Sequence, residues 1–166
     1  MSKDHSFDIA SKIDLQEVDN AVNQALKEIS QRFDFKGSTS TLELDKSKKT
    51  ITLKTENEFR LKTILDMLRT KCAKRNVSLK ALQVGDLESG MIGGSVKQII
   101  TLQDGIPTDK AKEITKYIKE TKLKVQTQIQ EGQVRVQAAK IDDLQTVIAQ
   151  LRQQDFGVDL QYLNYR

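Results

Sequence analysis

Lys122-Leu123-Lys124-Val125-Gln126-Thr127-Gln128-Ile129-Gln130-Glu131-Gly132-Gln133-Val134-Arg135-Val136-Gln137-Ala138 alternates apolar and polar residues on both sides of a Glu-Gly pair. Successive side chains of a strand point to opposite faces, and a glycine-bearing turn joins adjacent strands. The stretch therefore predicts a β-hairpin with strands over 123–129 and 133–138. One face carries Leu123, Val125, Ile129, Val134 and Val136. The other carries glutamines, Lys124 and Arg135, with no carboxylate among them.

The second strand of this hairpin has a counterpart earlier in the chain. Thr50-Ile51-Thr52-Leu53-Lys54-Thr55 lies over Gln133 to Ala138 at an offset of 83, which continues through Leu61 on Leu144 and Leu68 on Leu151. Further upstream the offset is 89, setting Ile13 on Leu102, Val22 on Ala111 and Ile29 on Ile118. Matching apolar positions in one order are the mark of an internal repeat.

Each copy reads as strand, helix, hairpin, helix, strand. In the first, Phe7, Ile9 and Ile13 mark a strand, and Val18, Val22, Ala25 and Ile29 recur at helical spacing over Asp14 to Phe33. Leu42 and Leu44, then Ile51 and Leu53, form a hairpin around Lys46 to Lys49. Thr55 with Glu58 has capping-box spacing before a helix through Ile64 and Cys72, and a strand follows near Leu79 to Val84. In the second, a strand over Val96 to Leu102 precedes a helix opened by Pro107. After the hairpin come a helix over Asp142 to Gln153 and a strand near Asp159 to Leu163. This order predicts an α+β protein of two ferredoxin-like β-α-β-β-α-β units with antiparallel sheets. The units are read as 1–88 and 96–166 around a connector at 89–95; exchange of the first strands between them would give the same periodicity.

Composition bounds the chemistry. The 166 residues are 37% hydrophobic and 30% charged, with a net charge of +4, which suits a globular chain and permits a polyanionic partner. One cysteine and one histidine leave no disulfide framework and no Cys-His metal cluster. Met1 to Asp8 has no apolar run, and no stretch approaches the ~20 apolar residues of a membrane span, so a cytoplasmic protein is expected.

No catalytic constellation is found. Gly90 to Ser95 lacks the spacing of either glycine-rich phosphate motif and precedes a strand, which makes it a linker. Asp142 and Asp143 open a helix, where acids complement its N-terminus. His5 has no evident partner, and Cys72 falls on the apolar stripe of its helix. The sequence argues for a binding module that is not an enzyme and needs no cofactor.

The polar hairpin face is the candidate surface. Lys122, Lys124, Gln126, Gln128, Gln130, Arg135 and Gln137, with Lys97 added by the preceding strand, offer amides to base and ribose groups and cations to phosphate. The same alternation also fits a solvated face or a contact between the two units. Arg69, Lys71, Lys74 and Arg75, in a stretch free of acids from Met67 to Gly85, form a second phosphate-contacting candidate or a solvated helix surface. RNA-recognition domains of this topology stack bases on aromatics in their central strands, and Thr50 to Thr55 and Gln133 to Ala138 contain none.

Taken together, Ser6-Phe7-Asp8-Ile9, Asp14-Leu15-Gln16-Glu17-Val18, Arg32-Phe33-Asp34-Phe35-Lys36, Lys122 to Gln130, Val134-Arg135-Val136 and Asp142-Asp143-Leu144-Gln145 resemble the YajQ family over nearly the whole chain. The resemblance implies tandem RNP-like domains, a cytosolic setting and nucleotide binding without an enzyme activity, with nucleic acid such as RNA, GTP or a cyclic dinucleotide as ligand. It supports Lys122, Lys124, Gln126, Gln128, Gln130 and Arg135 as the residues in its most specific run. Ala139-Lys140-Ile141 is less basic than the family pattern, which weakens a phosphate site at that helix start. The expectation is a nucleotide- or RNA-binding protein; the alternative is a protein-interaction adaptor responsive to a cyclic dinucleotide.

Overall fold

In the computed structural model, which describes residues 5–89 and 92–166, the alternating stretches become strands and the periodic ones helices. The order is β1 (His5–Ala10), α1 (Leu15–Gln31), β2 (Thr41–Asp45), β3 (Thr50–Thr55), α2 (Glu58–Lys74), β4 (Leu82–Val84), β5 (Val96–Leu102), α3 (Thr108–Glu120), β6 (Val125–Gln130), β7 (Gln133–Ala138), α4 (Ile141–Arg152) and β8 (Gln161–Leu163). Met1 to Asp4, where no leader was expected, and Gly90 and Met91 of the connector lie outside the described residues.

Local chemistry sets the helix starts. Asp14 caps α1 by accepting from the backbone N–H groups of Gln16 and Glu17. The cap of α2 is Asn57, whose side chain accepts from the Arg60 N–H, and not the Thr55 of the expected capping box. Thr55 is still the last residue of β3 and is buried, so it is two residues too early to cap. Pro107 immediately precedes α3, and Asp142 and Asp143 sit in the first turn of α4 without a capping hydrogen bond. Those two acids act on the helix dipole alone.

The described residues form two four-stranded sheets, ordered β2-β3-β5-β4 and β6-β7-β1-β8, with antiparallel pairing throughout. β1 pairs with β7 and β8, and β5 with β3 and β4, so each first strand completes the sheet of the other half. Two compact units result: residues 13–102, and residues 103–166 joined by the segment up to Lys12. The division into 1–88 and 96–166 does not follow the sheets, because alternation marks a strand without marking its neighbour.

Each unit packs two helices on one sheet face. In residues 13–102, α1 and α2 bury Val18, Ile64 and Leu68 against Ile51, Leu53 and Ile100. In the other unit, Ile114, Ile118, Val147 and Leu151 from α3 and α4 meet Phe7, Ile9, Val134 and Val136. Among the described residues no helix is long and apolar enough to cross a membrane.

Candidate functional site

The face of the β6-β7-β1-β8 sheet that turns away from α3 and α4 is built from three cross-strand rows. One holds Gln126, Gln137 and Ser6; the next Gln128, Arg135, Asp8 and Leu163; the third Gln130, Gln133, Ala10 and Gln161. Gln126 and Gln128 are exposed, and Gln130, Gln133 and Gln137 are half-buried. The hairpin glutamines therefore come together as the alternation predicts. Gly132, at φ 72°, closes the turn between β6 and β7 in a left-handed conformation that favours glycine.

Two expectations about this face need correction. Lys97 is not on it: β5 lies in the other sheet, where Lys97 faces Lys54 of β3. The strand that borders β7 is β1, which brings Ser6, Asp8 and Ala10 in place of Lys97. Nor is the face free of acids. Asp8, only 2% exposed, lies directly opposite Arg135. The Arg135 Nε donates to Asp8 Oδ1 at 2.9 Å and Nη2 to Oδ2 at 3.4 Å, while Asn164 Nδ2 donates to Oδ2 at 2.8 Å. The Arg135 hydrogen bond holds the Asp8 carboxyl below its ordinary 3.8, against the opposing effect of burial. Arg135 is correspondingly raised by the same contact. Its charge is compensated within the sheet, so it is a fixed donor and not a free cation.

The cations next to the glutamines are Lys122 and Lys124, both exposed in the passage from α3 to β6. Neither makes an ion pair within 4 Å among the described residues. Lys122 takes a left-handed conformation, φ 59°, which ends α3 and turns the chain into β6. Beside them a cavity of about 340 Å³ runs between α3 and the edge strand, lined by Ile118, Lys119, Leu123, Val125, Gln126 and Thr127.

A family model described as nucleotide-binding protein YajQ-like matches residues 5–166. A curated relative from Geotalea uraniireducens (strain Rf4), named nucleotide-binding protein, is 58% identical over 161 residues, covering 97% of this chain and 98% of that protein. The chain belongs to the YajQ family. A relative of the same name from Carboxydothermus hydrogenoformans is 55% identical over 166 residues, the whole of both chains. Another, from Alkaliphilus oremlandii, is 50% identical over the same length.

In this YajQ-family chain the second basic candidate sits at the end of α2. Lys71 pairs with Glu28 at 3.7 Å and Arg75 with Glu17 at 3.1 Å, both acids coming from α1, and Arg69 stands 4.0 Å from Asp66. A stretch without acids in sequence thus acquires them from a neighbouring helix. Lys74 is exposed. Cations in a last helical turn also complement the dipole, which gives Lys71 and Lys74 a structural role.

Asp8 and Asn164 are the site residues that sequence reading missed. The signal for Asp8 was present: a carboxylate between Phe7 and Ile9 interrupts a strand exactly as Arg135 does between Val134 and Val136. Asn164, beyond the last strand at φ 58°, gave none. His5 has its Nδ1 3.3 Å from the Arg166 carbonyl oxygen. Cys72 is buried, and burial pushes its thiol up to about 11.

Proposed function

We propose that this chain binds a nucleotide, as RNA or as a guanine nucleotide, on the amide-bearing face of the β6-β7-β1-β8 sheet, and that it binds without turnover. The observation that carries the reading is the register, which sets glutamines on both sides of the clamped Arg135. Each glutamine supplies two donors and an acceptor, the complement of base edges and ribose hydroxyls. Gln126, Gln128 and Gln137 are assigned to base and ribose, and Lys122 and Lys124 to phosphate. Asp8 occupies Nε and one Nη2 hydrogen of Arg135, leaving the Nη1 hydrogens and the flat guanidinium face for the ligand. The names of the relatives agree with nucleotide as the ligand class, and a cytoplasmic setting belongs to the same reading.

Titrating GTP, a cyclic dinucleotide and a short RNA into wild type and a Gln126→Ala/Gln128→Ala variant tests it. Two lost hydrogen bonds at roughly 0.5–1.5 kcal/mol each weaken the cognate ligand about 5- to 150-fold. With two phosphate-contacting lysines, log affinity for single-stranded RNA falls by about 1.4 per log unit of salt. A partner protein docked on the uncharged glutamines of this face shows a much flatter salt response. Equal binding of all three ligands by variant and wild type refutes the assignment, and release of product from a bound nucleotide refutes binding without turnover.

A further inference from the structure

The central strands β3 and β7 carry no aromatic on which a base could stack, yet the unit of residues 13–102 leaves two rings in water: Phe33 is 89% exposed and Phe59 78%. A phenylalanine so exposed forgoes the gain of burial. Neither ring hangs on a loose segment. Phe33 opens the short 3-10 turn Phe33–Phe35, and Phe59 lies in the first turn of α2.

These two segments are fastened to each other. Phe35 is buried, and the guanidinium carbons of Arg32 and Arg60 each lie 5.8 Å from its ring centre. Arg32 closes a two-point fork on Asp34, with both N···O distances 2.9 Å. Glu56, just before α2, accepts from Ser38 Oγ at 2.8 Å, from the Thr39 N–H and Oγ1, and from Arg60 Nη1 at 2.9 Å. The loop after Phe35 is therefore tied to the start of the helix that carries Phe59. The backbone that carries each ring is fixed in advance, which lowers the cost of ordering a contact on binding.

The surroundings of the rings select the partner. Phe33 is bracketed by Arg32 and Asp34, and Phe59 by Glu58 and Arg60. Arg60 is engaged by Glu56 and Arg32 by Asp34, but Nη1 of Arg32 takes no part in that fork, and rings set beside cations are the usual surface for unpaired bases, whose π-faces stack while the backbone meets positive charge. Lys36, exposed and without an ion pair among the described residues, stands one residue past the buried Phe35. We infer that Phe33 and Phe59 are a base-stacking platform for single-stranded RNA, with Lys36 and the outer edge of Arg32 on its phosphates. The platform is separate from the amide face, and its residues all belong to the unit of 13–102.

The test uses the full chain and a fluorescein-labelled 12-nucleotide oligouridine, with an abasic oligomer of equal length as control. Phe33→Ala and Phe59→Ala each weaken oligouridine binding about 5- to 150-fold, Phe33→Tyr and Phe59→Tyr retain it, and the abasic control binds wild type and variants alike. Photocrosslinking of 5-iodouridine RNA to wild type, mapped by mass spectrometry, gives adducts at Phe33 or Phe59 and covers the case of a variant that fails to fold. The platform is overturned if the double alanine variant binds within twofold of wild type, if adducts fall only elsewhere, or if wild type does not bind oligouridine. It is also overturned if the double variant instead dissociates a dimer in light scattering, which makes the patch an interface between copies. The Gln126→Ala/Gln128→Ala variant still crosslinks 5-iodouridine RNA at Phe33 or Phe59 whether the amide face binds RNA, GTP or neither, so the two readings fail separately.

Discussion

Replacing Asp8 by Asn keeps the shape of the side chain and removes its charge from the centre of the β6-β7-β1-β8 sheet. Breaking a buried ion pair from one side costs about 3–5 kcal/mol, because the surviving charge is stranded. Two features reduce that figure. The Arg135 side chain is 28% exposed and can rehydrate, and the asparagine oxygen can still accept from Asn164 Nδ2 as Asp8 does now. A loss of about 2 kcal/mol is expected. With a urea dependence of about 1–3 kcal/mol per molar, the unfolding midpoint falls by about 0.7–2 M.

The chain provides its own probe for this unit. It has no Trp, and its three tyrosines, Tyr117, Tyr162 and Tyr165, all lie in residues 103–166. The rings of Tyr162 and Tyr165 sit 6.0 and 6.1 Å from Phe7, the neighbour of Asp8. Tyrosine emission in urea therefore follows the unit that holds the pair, while circular dichroism follows the whole chain. The pH dependence fixes the cause. A carboxyl depressed below 3.8 in the folded state favours folding above that value, and the contribution fades as pH falls through the folded value. Wild type and Asp8→Asn should thus differ fully at pH 7 and converge toward pH 3. A midpoint shift under about 0.3 M, or a gap unchanged between pH 7 and pH 3, would falsify the view that Asp8 is an ionised clamp on Arg135.

Two further outcomes follow from the fold. The Cys72 thiol, buried in α2 and raised to about 11, reacts with a disulfide reagent only as the 13–102 unit opens; a native-state rate near that of a free thiol refutes its burial. A fragment of residues 96–166 lacks β1, a central strand of its sheet, and gives no cooperative unfolding curve until a peptide of residues 5–12 is added or fused; cooperative unfolding of the bare fragment contradicts the strand pairing.

Local order was legible where local forces decide it. The alternation of Gln133 to Ala138 marks β7 because a half-buried strand must put one residue type on each face. The stripe of Val18, Val22, Ala25 and Ile29 marks α1 because one side of that helix is buried. The start of α2 was misread because a capping-box spacing is satisfied by Thr55 and Glu58 on paper, whereas the cap belongs to the residue that leaves the extended conformation last, Asn57. The glutamine rows were legible for the same reason as β7. Asp8 beneath Arg135, and Phe33 and Phe59 on a fastened corner, were not: each depends on which distant segments meet, and neither periodicity nor composition carries that information.

The exchange of first strands has a physical reason that the two sheets make explicit. By the repeat offset, Thr50 holds the place in β3 that Gln133 holds in β7, so Thr101 opposite the one corresponds to Ala10 opposite the other. The same correspondence sets Gln98 against Phe7 and Ile99 against Asp8. Were each first strand kept in its own half, Arg135 would face Ile99 and Asp8 would face Thr52, leaving two charges unpaired in mid-sheet. Phe7 would leave the rings of Tyr162 and Tyr165, and Gln98 would give up its 2.8 Å bond to the Gly85 carbonyl. Against these stands one adverse term in the observed pairing, Lys54 opposite Lys97, a like-charge contact worth about 0.2–1 kcal/mol. Two aromatic contacts at about 0.5–1.5 kcal/mol each already outweigh it, before the Asp8–Arg135 pair is counted. The clamp that fixes Arg135 at the amide face thus also helps to assign β1 to its sheet, together with the Phe7 ring contacts.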